Sequence, residues 1–401
     1  MRRQEGIRGA ADRGRKRWRE GGRRTVDPTA TMARIGPRLA DHGITRIAQI
    51  GGLDRIGIPV AMACRPLSRS VAVSLGKGTS RTAAAVSAAM EAIELWHAER
   101  VALPLLRASP ADMRQMGRPI ADPARLPLRG DPPPPTARLL WVEAEELAGG
   151  GRIWVPFDLV HADYTLPLPE GGSWFLATTN GLASGNHPLE ARVHALCEVI
   201  ERDATARWRR ATVEERRRWR LDPATVEDQY CRWALERFRA AGIEVAIWAT
   251  PGPLAVPSFF CLLRDRRDPA GHFASGAGCH LSAPVALLRA LLEAAQVRVT
   301  YISGARDDLL REEFGEAAQA RKARELAPLF AEPPVLALGD LPHHEHPDFA
   351  ADLERLLAEL TGAGFDRVAM VDLTRGEGEI AVVRAVVPGL LLDDHDGRRA
   401  G

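Results

Sequence analysis

Hydrophobic and polar positions along the chain follow two alternating periods. Short apolar runs rich in strand-forming residues lead into glycine-containing turns, and then into segments where apolar residues recur every three or four positions. This succession occurs three times, with strands predicted at 69–75, 174–179 and 272–279 and helices at 82–99, 189–208 and 284–302. Further elements are predicted as a hairpin at 139–160, a helix at 348–363 and strands at 367–373 and 380–387. The pattern predicts an α/β (mixed α+β) fold with repeated strand, glycine-turn and helix units.

The three predicted helices share a polar stripe when they are placed in register. Glu91, Glu198 and Glu293 each lie thirteen residues after the turn residue at the equivalent position. Positions i, i+4 and i+7 are then Ser87, Glu91 and Glu94 in the first helix, His194, Glu198 and Glu201 in the second, and Arg289, Glu293 and Gln296 in the third. Residues at this spacing lie on one face of a helix. We therefore expect the three units to surround one central nucleotide site.

The acidic pairs on the first two helices indicate a bound cation. Like charges one turn apart destabilise an isolated helix by a few tenths of a kcal/mol, unless a positive group lies between them. Mg²⁺ in nucleotide sites is held by carboxylates and phosphate oxygens, so the pairs suit that ion. A single such pair is more often a solvated face, and the three copies in register favour a site. Lys77 is a candidate phosphate cation without the full P-loop spacing, and His194 is either a polar member of the stripe or a general base.

Composition excludes several classes of protein. The chain has 401 residues, of which 45% are hydrophobic and 26% charged, and no run approaches the roughly 18 apolar residues of a membrane span. Residues 1–24 hold ten Lys and Arg against three acidic residues, which predicts a basic disordered arm. Such an arm could bind nucleic acid, but a solvated tail is the favoured interpretation. Five scattered cysteines without C-x-x-C spacing indicate a reducing cytoplasm.

At these motifs the sequence resembles the YcaO family. The matching segments, in chain order, are 74–78 with Ser87, Glu91 and Glu94; 180–186 with Glu190, Glu198 and Glu201-Arg202-Asp203; 289–298 with 303–308; and Val386-Val387-Pro388-Gly389. The resemblance spans residues 25–390, which implies one catalytic domain between the arm and a short tail at 391–401. A departure lies at Leu95, where the family often has Arg, so that one positive charge is missing.

The resemblance implies an enzyme that uses ATP and Mg²⁺ to activate a peptide backbone amide. A nucleophile adds to the amide carbonyl, and phosphorylation lets the amide oxygen leave as phosphate. The metal ligands implied by the resemblance are Glu91, Glu94, Glu198 and Glu201. The implied nucleotide contacts are Lys77, Ser87, Asn186, Glu190, Arg202, Gln296 and Arg306. The implied catalytic residues are Glu198, Glu201 and Arg202.

The nucleophile decides the product within this family. A side chain of the substrate gives an azoline, whereas external sulfide gives a thioamide. The tail lacks the Pro-x-Pro-x-Pro ending typical of azoline-forming members, and the stretches 24–28 and 43–60 look like the subgroup that works with a TfuA partner and is associated with thioamide formation. We therefore expect thioamide formation on a ribosomally made peptide or protein with a TfuA-like partner, and a homodimer as a family trait. Azoline cyclodehydration and a non-catalytic nucleotide-binding scaffold remain as alternatives.

Overall fold

The computed structural model describes residues 12–167, 174–250, 252–267, 273–376 and 380–393. Its strands are β1 (Arg46–Gln49), β2 (Val60–Cys64), β3 (Val73–Lys77), β4 (Leu105–Ala108), β5 (Leu139–Glu146), β6 (Arg152–Pro156), β7 (Leu182–Gly185), β8 (Ile243–Ala249), β9 (Ser258–Asp265), β10 (Phe273–Cys279), β11 (Ala369–Asp372) and β12 (Ala381–Val386). Its helices are α1 (Pro28–Ile35), α2 (Arg81–Ala98), α3 (Pro110–Gln115), α4 (Pro188–Arg210), α5 (Val213–Arg217), α6 (Gln229–Ala240), α7 (Ala283–Ser303), α8 (Glu316–Leu326) and α9 (Phe349–Gly362).

Within the described residues, the strands form three antiparallel sheets. The first has the order β1-β2-β3 and the second the order β10-β9-β8. The third runs β4-β5-β11-β12-β7, with β6 also paired to β5. Strands that are distant in sequence, such as β5 and β11, are therefore neighbours in this sheet. The predicted mixed α+β class is confirmed, whereas the origin of the three units as repeats of one another stays a prediction.

Each of the three longest helices follows a strand and packs against it at a glycine. α2 follows β3, α4 follows β7 and α7 follows β10. A Cβ atom on Gly76 would lie 2.1 Å from the backbone nitrogen of Ala88, and one on Gly276 would lie 2.3 Å from that of Ala294. Atoms do not approach this closely, so the two backbones can meet only where the strand carries glycine. These glycines set how near each helix, with its polar stripe, lies to its sheet.

The second unit differs from its prediction. Residues 174–179 form no regular strand, and β7 lies within the segment 180–186 that the sequence predicts as a turn. The small residues of β7 are explained by its contact with the backbone of α4 instead of by a turn. A Cβ atom on Gly185 would lie 2.6 Å from the backbone nitrogen of Ala191. Small residues are typical of turns and also of strands that touch a helix backbone, and the local pattern does not separate the two.

Residues 12–24 pack on the body of the protein, where the sequence predicts a disordered arm. Lys16 is only 4% exposed, and its ammonium lies 2.6 Å from the carboxylate of the fully buried Asp352. Arginines of the same segment pair with further acidic side chains near the start of α9. Because these partners lie more than 300 residues away, the local composition does not reveal them. Residues 1–11 and 394–401 lie outside the described residues.

The apolar core lies where the helices meet the sheets. One cluster of buried side chains joins α2 to the sheet that contains β5, a second joins α6 and α7 to β8–β10, and a third joins α4 and α9 to β11 and β12. The apolar faces of α2, α4 and α7 are thus occupied, which leaves their polar stripes for other contacts. No helix in the described part of the chain is long and apolar enough to cross a membrane.

The variant Gly276→Ala tests the close approach of β10 to α7. The added methyl group would meet two backbone atoms of α7 at 2.3 and 2.4 Å. We expect the free energy of unfolding to fall by about 1–3 kcal/mol or more, because one backbone must move. Urea denaturation followed by circular dichroism measures the change. Gly52→Ala is the matched control, since a Cβ atom there meets nothing within 4 Å; two equally stable variants would contradict the packing argument.

Candidate active site

The polar stripes of α2, α4 and α7 bring five glutamates together. They are Glu91 and Glu94 of α2, Glu198 and Glu201 of α4, and Glu293 of α7, and we call them the carboxylate cluster. The charges of these side chains act on one another across the three helices. All five side chains are half-buried, so protein surrounds them and yet solvent reaches them. The predicted metal ligands therefore share one acidic space.

Burial raises the pKa values of most of the cluster. Burial is the largest cause for Glu94, whose pKa is raised to about 8, and for Glu91 and Glu201, whose pKa values are raised to about 7. The pKa of Glu198 is raised for the same reason, and neighbouring carboxylates add to each of these shifts. Burial also acts on Glu293, but Lys77 and Arg202 outweigh it and lower the pKa of that carboxyl group. The cluster thus lacks enough positive charge for all its members to ionise easily.

The cations predicted for the site lie around this cluster. The ammonium of Lys77 is 2.8 Å from a carboxylate oxygen of Glu293. The charge of Arg202 acts on Glu198, Glu201 and Glu293, which places its guanidinium among both α4 and α7 members. Arg306 acts on Glu91 from a loop after α7, where it also donates to the carboxylate of Asp308. Phosphate oxygens brought to the cluster would meet these cations.

Hydrogen-bond donors in β7, and in the residue just before it, contact two of the glutamates. The backbone N–H and hydroxyl of Ser184 donate to Glu94 at 2.8 and 2.6 Å, and the N–H of Gly181 donates to Glu198 at 3.3 Å. No three acidic, His or Cys side chains among the described residues are close enough to one another to make a ready metal site. A divalent cation at the cluster would need oxygens from elsewhere, as Mg²⁺ does with phosphate and water.

Two predicted nucleotide contacts lie against the N-terminal segment. Glu190 is 1% exposed and accepts hydrogen bonds from the N–H and hydroxyl of Thr25, at 3.1 and 2.6 Å, and from Arg24 at 3.2 Å. Asn186 donates from Nδ2 to the hydroxyl of Thr31 at 3.0 Å. Its Oδ1 is buried and has no hydrogen-bond partner among the described residues. Glu190 therefore anchors the segment, while Asn186 keeps an acceptor for a ligand.

The other stripe residues follow their predicted positions. Ser87 lies one turn before Glu91 on α2, and Gln296 lies nearly one turn after Glu293 on α7; both are half-buried. Arg24 lies 2.7 Å from the ring nitrogens of His194. Burial, followed by the charges of two arginines, lowers the pKa of His194 well below its ordinary value. A neutral ring held against arginine has little tendency to take up a proton, which favours the polar-member interpretation.

Sequence reasoning left some site residues out of the predicted set. Glu293 completes the cluster, and its position in the shared register was the available signal. Ser184 was hidden because its segment was predicted as a turn. Arg24 had no local signal, yet its charge reaches Glu94 from the N-terminal segment. Arg24 adds a cation to the site. At position 95 this chain has leucine, where the family that the sequence resembles often has arginine.

Comparisons with known proteins identify the family. Residues 75–391 match the family model for the YcaO cyclodehydratase, ATP- and Mg²⁺-binding, so the chain belongs to the YcaO family. An uncharacterised protein of Methanothermobacter thermautotrophicus is 38% identical over 384 residues, which cover 94% of this chain and 97% of the relative. An uncharacterised protein in the tfuA 3′ region of Rhizobium leguminosarum bv. trifolii is 32% identical over 376 residues, which cover 92% and 89%.

A solved structure agrees with this assignment. YcaO from Methanopyrus kandleri, bound with AMPPCP and Mg²⁺, matches with a TM-score of 0.75 and 25% identity over 94% of each chain. The resemblance to the YcaO family that the sequence indicates is confirmed. ATP and Mg²⁺, the predicted cofactors, are the ligands by which the family is described. The family description also supports an ATP-dependent enzyme.

The pH dependence of stability tests the raised pKa of Glu94. Its carboxyl group stays protonated in the folded protein up to about pH 8, whereas the unfolded chain releases that proton near pH 4.5. Folding stability should therefore fall as the pH rises between these values. Glu94→Gln removes the titration and keeps an acceptor for Ser184. In protein free of metal and nucleotide, we expect this variant to gain stability over the wild type between pH 5 and pH 8, by an amount on the order of a few kcal/mol, because one pKa unit is worth about 1.4 kcal/mol.

Urea denaturation at the two pH values measures the difference. Glu236→Gln is the control, because Glu236 lies on the surface of α6 with 60% of its side chain exposed. The free energy of unfolding of Glu236→Gln should not rise relative to that of the wild type between pH 5 and pH 8. A difference between Glu94→Gln and the wild type that is the same at both pH values would contradict the raised pKa.

Proposed function

We propose that this protein activates a backbone amide of a ribosomally made peptide or protein by ATP-dependent O-phosphorylation, and that the product is a thioamide. The carboxylate cluster carries this proposal. Five glutamates from three helices share one half-buried space, and most have raised pKa values. A divalent cation would restore their ionisation, and phosphate oxygens would complete its coordination. Such a donor set suits a nucleotide bound through Mg²⁺.

Each residue of the site has a role in this proposal. The metal ligands are Glu91, Glu94, Glu198 and Glu201. The phosphates face Lys77, Arg202 and Arg306, while Ser87, Asn186, Glu190 and Gln296 complete the nucleotide site. The unpartnered Oδ1 of Asn186 and the cations beside Glu293 and Glu91 support these assignments. Glu190 would act by holding Arg24 in place, since its carboxylate already accepts three hydrogen bonds.

The proposed reaction depends on stabilisation of the negative charge that develops during phosphoryl transfer. Bound ATP would supply the phosphoryl group that turns the amide oxygen into a leaving group. Arg202 lies among Glu198, Glu201 and Glu293, so its guanidinium can stabilise negative charge that develops beside them. Glu198 and Glu201 would hold the cation beside Arg202. We therefore assign the catalytic role to these three residues. Their setting is preorganised because α4 is fixed to β7 at Gly185.

A TfuA-like partner and external sulfide are the finer part of the proposal. A relative that is 32% identical to this chain lies in a tfuA 3′ region, and the N-terminal sequence resembles the same subgroup. The runner-up is azoline cyclodehydration, which the family description as a cyclodehydratase favours. The two reactions share the activation of the amide and differ in the nucleophile. The product therefore distinguishes them.

Replacement of the α4 carboxylates tests the site. Glu198→Gln and Glu201→Gln keep the size of the side chain but remove the charge that would hold Mg²⁺. We expect each change to lower ATP turnover about 100-fold or more, measured as phosphate release in the presence of the partner and a candidate peptide. Glu236→Gln makes the same chemical change on the exposed surface of α6 and should leave turnover unchanged. Unchanged turnover in the α4 variants would refute the site assignment, and a wild type without turnover would favour the scaffold alternative.

Mass spectrometry of the peptide tests the reaction. The peptide is incubated with this protein, its partner, ATP, Mg²⁺ and a sulfide source. We expect a gain of about 16 Da, because sulfur replaces oxygen once the activated oxygen has left. A loss of about 18 Da would instead establish cyclodehydration, since water is then eliminated. A reaction without ATP is the control, and an unchanged peptide mass with ATP consumed would contradict the choice of substrate.

A further inference from the structure

A cavity lies beside the C-terminal end of α2, the helix that carries Glu91 and Glu94. It has a volume of about 240 Å³, and we call it the side cavity. Its wall includes Glu99, which follows Glu94 by five residues along α2 and its C-terminal cap, or about 7.5 Å of helix. The buried guanidinium of Arg384 connects the two places, because its charge acts on Glu198 in the cluster and on His161 in the cavity wall. The C-terminal end of α2 and the buried Arg384 therefore link the side cavity to the carboxylate cluster.

The charged side chains of the cavity wall are paired with one another. Arg69 lies 3.0 Å from the carboxylate of Asp163, and Arg100 lies 2.8 Å from that of Glu99. A charged ligand would compete with these pairs for a partner, whereas an uncharged ligand leaves both pairs intact. The wall consequently suits an uncharged ligand. A nucleotide, with its several negative charges, does not fit this environment.

One buried polar group in the wall still offers a hydrogen bond. His161 is 5% exposed, and its Nδ1 accepts a hydrogen bond from the backbone N–H of Asp163 at 3.1 Å. Burial lowers the pKa of His161, so the ring is neutral and its hydrogen lies on Nε2. No residue in the described part of the chain accepts from that Nε2–H. Phe157 stacks on the ring at 4.6 Å between centroids and fixes its orientation.

We propose that the side cavity binds the peptide substrate next to the amide that is modified, with the Nε2–H of His161 donating to an uncharged acceptor such as a backbone carbonyl. The proposal rests on the proposed function, because that function supplies a peptide as the substrate. A peptide offers such an acceptor at every residue and has no charge on its backbone. It is also long enough to continue beyond the cavity.

Two exposed leucines on the loops that form part of the cavity wall support a peptide as the occupant. Leu67 and Leu166 are 89% and 83% exposed, and they lie on the two loops that carry Arg69 and Asp163. These loops are joined by a hydrogen bond from the N–H of Tyr164 to the carbonyl of Arg69 at 2.9 Å. Exposed leucines cost free energy in water, which a bound chain would recover by covering them.

Binding of a capped peptide tests the side cavity without any turnover. The probe is the neutral nonapeptide acetyl-(Gly-Asn-Ala)₃-amide, titrated into protein labelled with ¹⁵N-histidine. We expect the side-chain nitrogen signals of His161 to shift and saturate, and matched peptides with Asp or Lys in place of Asn to bind at least tenfold more weakly. An unshifted His161 in the wild type, or equal binding of the charged peptides, would overturn the proposal.

Two variants separate the hydrogen bond from packing. His161→Phe keeps an aromatic ring against Phe157 but removes the donor, and it should weaken binding of the neutral nonapeptide at least tenfold. His161→Gln keeps a donor and should stay within about threefold of the wild type. Isothermal titration calorimetry measures binding here, because these variants lack the His161 signals. His343→Phe, at an exposed position, is the control. Equal binding by His161→Phe and the wild type would overturn the proposal. If His161→Phe does not fold, the shift of the His161 nitrogen signals in the wild type decides between the two outcomes. Binding of AMPPCP with Mg²⁺ should be the same in all of them, so its loss in Glu198→Gln alone tests the proposed function separately.

Discussion

The burial of five glutamates in one space is the constraint on which the rest of the structure depends. Glutamates on α2, α4 and α7 would regain solvent if the helices could move apart, because burial, and after it the neighbouring carboxylates, raises the cost of ionising most of them. The helices cannot move freely, since Gly76, Gly185 and Gly276 place strand and helix backbones in direct contact. The packing of apolar faces on the sheets thus supplies the free energy that keeps an unfavourable charge arrangement together. A bound cation would relieve this cost by restoring the charge of the carboxylates, with further oxygens supplied by phosphate and water.

The N-terminal segment belongs to the same balance of charge. Its Lys16 neutralises the buried Asp352, which without that partner would be an uncompensated charge. Further along the segment, Arg24 reaches Glu190 and His194 and acts on Glu94. Acidic groups in the rest of the protein therefore bind the N-terminal segment, and Arg24 of the segment adds a positive charge to the candidate active site. A composition that looks like a solvated arm is instead matched to partners distant in the sequence.

The sequence predicts the long helices and their stripes well, because helical spacing makes every polar member visible in one dimension. Glu91, Glu198 and Glu293 could be placed on one site from their register alone. It predicts β7 wrongly, since glycine and alanine serve turns and close backbone contacts alike. It gives no sign of Arg24 at the site, because an ion pair between distant segments leaves no periodic trace. What local periodicity encodes is predictable, and what the tertiary approach of segments creates is not.

Arg384 shows how the two halves of the candidate site are tied together. Its Nε donates to the carbonyl of Leu159 at 2.8 Å and its Nη2 donates to that of Thr178 at 2.6 Å. The first carbonyl precedes His161 by two residues, and the second precedes Gly181, the donor to Glu198, by three. One buried guanidinium therefore positions both the loop that carries the side-cavity histidine and the loop that holds a cluster carboxylate. The ammonium of lysine has no planar fork and could not hold both carbonyls in this way, so the distance between the two binding places depends on arginine.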